Sequence, residues 1–263
     1  SSTANGTFAI GGTISISATT SEAIQSGNSI TVTLETGTVD RTVVLTAASA
    51  GTSLTGTYTV QSGDVTGDLT ALSYTIGTVR DTAGNAMTST TMPASASNIA
   101  QNSALVVDGV VPTMNITATA TTVASGGTST ITFTSTEATT NFAAADVSAT
   151  LGTLSNFQTV SSTSYTATFT ASPSVGGAAA VSVTSGSFTD VVGNTSSAVT
   201  PFEITVNNTS SSGGRVAALS GSTNYIVERF TEIGARTWIA PQGVTRVDLL
   251  VVGGGGGGGS RGA

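Results

Sequence analysis

The sequence predicts an all-β chain: two consecutive antiparallel β-sandwiches of about seven or eight strands each, then the start of a third, glycine-rich β domain. Three observations predict it. Apolar and polar residues alternate with a period of two through much of the 263-residue chain. Turn-forming residues interrupt these runs about every eight to twelve positions. The same parts, in the same order, come round again after about 110 residues, the size of a self-sufficient domain rather than a solenoid turn.

The elements follow in order. In TISIS (13–17) Ile14 and Ile16 share a face, as do Ile30, Val32 and Leu34 in SITVTLE (29–35). Successive strand side chains point to opposite sides, so each run has one buried and one wet face. GTYTVQ supplies an aromatic middle strand with Tyr58, and SALVVD (103–108) a short apolar closing strand. In the second set, STITFTS (129–135) turns Ile131 and Phe133 inward and Thr130, Thr132 and Thr134 outward. SYTATFTAS (164–172) aligns Tyr165, Ala167, Phe169 and Ala171 against Thr166, Thr168 and Thr170, and PFEITV (201–206) closes the set. Threonine suits the wet face because its β-branch fits the pleated surface. Only NFAAADV (141–147) reads as a helical turn. The breaks are QSGN (25–28), SGD (62–64), ASGG (124–127) and SVGG (174–177), where Gly supplies positive φ and Asn or Asp bonds back to the backbone.

These parts divide the chain into 1–110 and 111–207. Each unit has a Glu beside an Ala (Glu22, Glu137), an aromatic strand, an Asp-x-x-Gly-Asn loop (Asp81–Asn85, Asp190–Asn194) and a closing strand. VVDGVVPT (106–113) joins them; Pro112 drives Val111 towards extended backbone, which makes a short, semi-stiff joint. Residues 208–214, small and polar, read as a flexible linker, and 215–263 as an incomplete glycine-rich domain. The chain opens at Ser1-Ser2-Thr3 and stops inside a glycine-rich run, as a mature or trimmed piece of a longer polypeptide would.

Composition excludes whole classes of function. Charged residues make up 8% and the net charge is −7. The seven basic residues are all arginines and never cluster, so no stripe exists to follow a phosphate backbone or an anionic membrane. Cysteine, histidine and lysine are absent, which removes disulfides, thiolate metal sites, the usual nucleophile–base pairs and Lys–Asn cross-links. The carboxylates are spaced thinly and mostly in turns, so no tuned acid–base pair emerges and the chain reads as non-enzymatic. LLVVGGGGGGG meets a strand-then-GxGxxG pattern only because a glycine run meets any glycine pattern. No apolar run approaches the ~20 residues of a membrane helix.

Residues 131–171 closely resemble the bacterial immunoglobulin-like repeats of large surface adhesins and of some phage fibres. Residues 54–113, with YTVQSGD, GTVRDTAGNAM and the VDGVVPT joint, resemble a sister group, so the likeness spans about four-fifths of the chain. The tail from Phe230 to Gly259 resembles a glycine-rich domain of phage tail or fibre proteins and some secreted bacterial proteins. There a Trp-containing strand precedes Pro-x-Gly-Val-Thr, an apolar strand and polyglycine, and Trp238, Pro241, Gly243, Val244 and Thr245 match. The resemblance implies tandem immunoglobulin-like sandwiches outside the cell: a non-catalytic spacer displaying a binding region on a bacterial surface or secreted protein, or alternatively a segment of a phage virion. It implies partners among further domains or copies of the same assembly and a host or cell-surface glycan or protein, with no nucleic acid and no direct membrane insertion. A carbohydrate-binding or carbohydrate-active module is the third class, weakened by a single Trp and four Tyr.

Calcium is the one ligand that merits weighing, since the resemblance implies that it stiffens such joints; no cofactor is required. It wants six to eight oxygens. The candidates are Asp81 with Asn85, Asp190 with Asn194, Asp108 in the joint, and Glu22 and Glu137 at the domain ends. The competing reading is a plain Asx-type turn, which explains the glycine as well as the aspartate.

Overall fold

A computed structural model describes residues 1–208 and the paired strands Arg215–Val216 and Val227–Glu228. The Trp238 strand, the glycine run and nearly all of the expected third domain lie outside the described residues.

The first strands are β1 (Gly6–Phe8), β2 (Thr13–Ile24), β3 (Ser29–Glu35), β4 (Arg41–Thr46), β5 (Gly51–Thr59), β6 (Val65–Thr66) and β7 (Thr70–Ile76). After a 3₁₀ turn at Ser95–Ser97 comes helix α1 (Ile99–Asn102), one turn capped by the Asn98 side chain, and then β8 (Leu105–Asp108). A five-stranded sheet of order β2-β5-β4-β3-β7 faces a three-stranded sheet of order β1-β8-β6. Their inner faces bury Ile14, Ile16, Leu34, Leu45, Leu54, Leu69 and Leu105 completely.

The next strands are β9 (Met114–Ala118), β10 (Thr122–Ala124), β11 (Thr128–Ser135), β12 (Val147–Ala149), β13 (Gly152–Ser161), β14 (Ser164–Ala171), β15 (Gly177–Val183) and β16 (Phe202–Asn207). They form sheets of order β13-β14-β11-β9 and β10-β16-β15-β12. The expected helical turn is a 3₁₀ turn at Ala144–Asp146. The core here is aromatic: Phe142 meets Phe133, Tyr165 and Phe188 edge to face, at centroid distances of 5.7, 4.9 and 5.2 Å. The buried side chains thus separate into two clusters, one drawn from residues 14–107 and one from 114–206.

The fold is all-β, but its sheets are not wholly antiparallel. β1 runs parallel to β8 (Gly6↔Leu105), and β10 parallel to β16 (Thr122↔Thr205). The cause is local. After β1 and β10 the chain turns through Gly11-Gly12 and Gly126-Gly127, where Gly11 and Gly126 hold φ of 81° and 75°. That left-handed kink lifts the chain from one sheet into the other. The short piece before it is left beside the last strand, pointing the same way. At three residues each, both pieces are too short for alternation to mark, and alternation is silent on which neighbour a strand finds. Among the described residues no helix is long and apolar enough to cross a membrane.

Candidate functional site: the joint between the two cores

The two Asp-x-x-Gly-Asn loops fold alike. Asp81 Oδ1 accepts the Asn85 backbone N–H (2.8 Å), and Asp81 Oδ2 accepts Asn85 Nδ2 (2.7 Å). Asp190 Oδ1 accepts the N–H groups of Val192, Gly193 and Asn194 at 2.7–2.9 Å, and Asp190 Oδ2 accepts Asn194 Nδ2 (2.8 Å). Gly84 and Gly193 take φ of 93° and 103°, which only glycine adopts without strain. Both loops pair with distant chain, through single bridges to the end of β2 (Ile24↔Asp81) and to the residue Thr139 just beyond β11 (Thr139↔Asp190). The Asn85 side-chain bond, and after it the Asn85 backbone N–H, holds the Asp81 carboxyl below its ordinary range.

The loops differ in what covers them. Asn85 is exposed, whereas Asn194 and Asp190 are 2% and 3% exposed. Asn194 is buried because the first core's sheets end on it. Its Nδ2 also donates to the Asp108 carbonyl (2.9 Å), and its Oδ1 accepts the Ile10 N–H (2.8 Å). Ile10 and Asp108 stand at the ends of the parallel pair β1–β8, so the carboxamide occupies the next rung of that ladder. In the second unit the same rung is closed directly, by Ser125 N–H on the Asn207 carbonyl (2.8 Å).

The chain between the cores is tied down along its length. Gly109 N–H donates to the Asp64 carbonyl (2.7 Å) and the Gly109 carbonyl accepts Gly63 N–H (2.8 Å). A Cβ on Gly109 would lie 2.3 Å from the Gln61 carbonyl oxygen, so only glycine fits against this turn. Pro112 is buried; its carbonyl accepts Ser197 N–H (3.0 Å), and Thr113 exchanges bonds with Thr136 at 3.0 Å. Beneath Gly109 the Asp64 side chain, 1% exposed, accepts Arg41 Nε (2.8 Å), the Tyr58 hydroxyl (2.6 Å) and Gln61 N–H (3.0 Å). SGD is thus more than the turn its composition predicts, because its aspartate holds the hydroxyl of the buried Tyr58. The available signal was a charged pair in a chain with almost no charge. A shallow cleft runs over Asp40, Arg41, Tyr58 and Gln61, but Arg41 and Tyr58 spend their polar groups inward on Asp64.

Of the seven candidate residues, Asp108, Glu137, Asp190 and Asn194 come together at the joint; Glu22, Asp81 and Asn85 sit at the opposite end of the first unit. Glu137 Oε2 is buried with no hydrogen-bond partner. Burial first, then the charges of Asp108 and Asp190, push the Glu137 carboxyl above its ordinary value. Three of the candidate carboxylate oxygens already serve the protein: both of Asp190 accept amides, and Asp108 Oδ1 accepts Val110 N–H (3.2 Å). Among the described residues no three acidic, His or Cys side chains are grouped to hold a metal.

Residues 108–216 match the bacterial Ig-like domain family, a span that takes in the joint and the second unit. No curated protein matches. Among solved structures, the ICAM-5 D1–D4 ectodomain fragment aligns with 81% of the chain at 14% identity and a TM-score of 0.25; the chain spans about half, 54%, of that structure.

Proposed function

We propose that the chain is a non-catalytic extracellular spacer, in which Ig-like sandwiches at 1–110 and 111–207, a linker at 208–214 and a glycine-rich domain at 215–263 hold a binding region away from a bacterial surface. The joint carries this reading: a connector bonded to both units and an asparagine shared between them resist the swinging expected of a loose tether. The Ig-like match at 108–216 and the lack of His, Cys and Lys support a module without a reactive centre. Its partners in this reading are neighbouring domains or copies of the same assembly and a glycan or protein on a host or cell surface. Small-angle scattering of the whole chain tests it. A single fixed separation of the two cores is expected; a broad distribution refutes the spacer, and hydrolysis of a polysaccharide by the pure chain refutes the absence of catalysis.

The tail motif PQGVTRVDLLVV followed by polyglycine favours a second reading, a phage tail-fibre or capsid-appendage segment. Mass spectrometry of purified virions against cell-surface fractions separates the two. In both readings amides hold the Asp190–Asn194 side of the joint, where both Asp190 carboxylate oxygens accept them.

A further inference from the structure

We infer that the Asp81–Asn85 loop is a docking end for the exit of another Ig-like sandwich, and that Asn85 would enter that unit's terminal rung as Asn194 enters the rung of Ile10 and Asp108. The inference extends the spacer reading and rests on it.

Three correspondences carry it. The loops superpose in sequence at a constant offset. Arg80, Asp81, Asn85, Ala86 and Met87 match Thr189, Asp190, Asn194, Thr195 and Ser196, with the same bridges (Arg80↔Ala86, Thr189↔Thr195) and the same amide bonds back to Val79 and Phe188 (2.9 Å each). The segments leading to those bridges also match without a gap: AIGGT at 9–13 stands for ASGGT at 124–128, and Glu22-Ala23 for Glu137-Ala138. The positions that receive the connector recur too. Ser21 offers a hydroxyl where Thr136 binds Thr113, and Thr88 stands where Ser197 binds Pro112.

The Asn85 side chain is held ready. Asp81 Oδ2 can only accept, so it fixes which end of the carboxamide is Nδ2 and leaves Oδ1 and one N–H pointing away. Asn194 has the same arrangement and spends those two groups on Asp108 and Ile10. The occupant must therefore offer a strand-end carbonyl and a facing amide one carboxamide apart. Those are the chemical features of a rung such as Ser125–Asn207, opened to admit the side chain.

The test places residues 1–115 ahead of Ser1 of the full chain, which reproduces the register of the existing joint. Amide exchange is read at the added copy's Ile10, with Asn85 intact and with Asn85→Ala, beside Asn194→Ala at the existing joint. Protection of the added Ile10 amide is expected to fall by about tenfold on Asn85→Ala, matching the loss at the native Ile10 on Asn194→Ala. Equal exchange with and without Asn85 overturns the docking end. No change at the native Ile10 on Asn194→Ala overturns the rung itself. A fixed core separation in the parent chain by scattering, together with either of those failures, would leave the spacer standing and remove only this inference.

Discussion

Replacing Asp64 by alanine should unfold the first unit selectively, and the size of the effect can be worked from its three bonds. The substitution leaves the Tyr58 hydroxyl, 2% exposed, and the Gln61 N–H without acceptors, and the Arg41 guanidinium without its carboxylate. An intact buried pair is weak evidence of stability, but breaking one by removing a partner costs about 3–5 kcal/mol. Arg41 retains 26% side-chain exposure and Gln61 is exposed, so both can recover some hydration, while the hydroxyl of the buried Tyr58 cannot. The terms overlap rather than add, so the expected loss is about 3–5 kcal/mol. Urea unfolding followed by far-ultraviolet circular dichroism should show the first unit's midpoint falling by about 2 M. Arg41→Ala leaves Asp64 its Tyr58 and Gln61 donors but no cation beside a carboxylate 1% exposed, so it should cost a comparable amount, about 3–5 kcal/mol. Burial first, and then the Asp64 bond and charge, push the Tyr58 hydroxyl far above its ordinary phenol value. A raised folded pKa means that this contribution is present below the unfolded value of about 10 and is lost as pH rises beyond it. A loss under about 1 kcal/mol for Asp64→Ala would refute the reasoning.

Three further outcomes are expected. Gly152→Ala would put a Cβ 2.5 Å from the Phe169 ring and 2.5 Å from the Thr170 carbonyl oxygen, so the second unit should lose about 1–3 kcal/mol and its thermal transition should drop while the first stays put. Glu137→Gln should stabilise the protein at neutral pH, because the folded state resists the carboxylate's charge; the gain should shrink as pH falls through the raised titration of Glu137, and a pH-independent difference in Tm would contradict this. Adding EDTA or calcium should leave Tm and solution length unchanged, whereas a calcium-dependent rise in either would restore a metal to the joint.

Much of the sandwich was legible because strand burial is a local signal. The inward sets Ile30–Val32–Leu34 and Tyr165–Ala167–Phe169–Ala171 are buried as their alternation implies. The Asp-x-x-Gly-Asn turn was legible for the same reason: its bonds close within five residues. What stayed hidden depends on distant partners. Nothing near Asp64 distinguishes a turn aspartate from one that also receives Arg41, 23 residues away. The parallel rung of β1 on β8 joins residues about 100 apart, and its register is set by the Gly11 kink rather than by alternation. Asn194 reads as a turn residue in both of its roles, because the bond that makes the turn leaves the other half of the carboxamide free to leave its own domain.

That double use explains why the joint residue is asparagine and predicts what an acid there would do. The carboxamide must donate to Asp190 Oδ2 and the Asp108 carbonyl while accepting from Ile10, and only an amide has two hydrogens on one end and an acceptor on the other. It is also neutral, so in a chain with 8% charged residues the link does not weaken by ionic screening. Asn194→Asp keeps the shape and the Ile10 bond but sets a carboxylate against Asp190 and a carbonyl, nearly out of water. Two such carboxylates cannot both ionise cheaply, so one must take up a proton near neutrality. The variant should lose about 3–5 kcal/mol at pH 7, the cost of an uncompensated buried charge. Because the folded pKa would be raised, stability should return as pH falls through it. Scattering across that pH range should show the two cores separating at neutrality and closing in acid. A variant that keeps the parent's core separation at pH 7 would mean that Asn194 is a bystander at the joint rather than its latch.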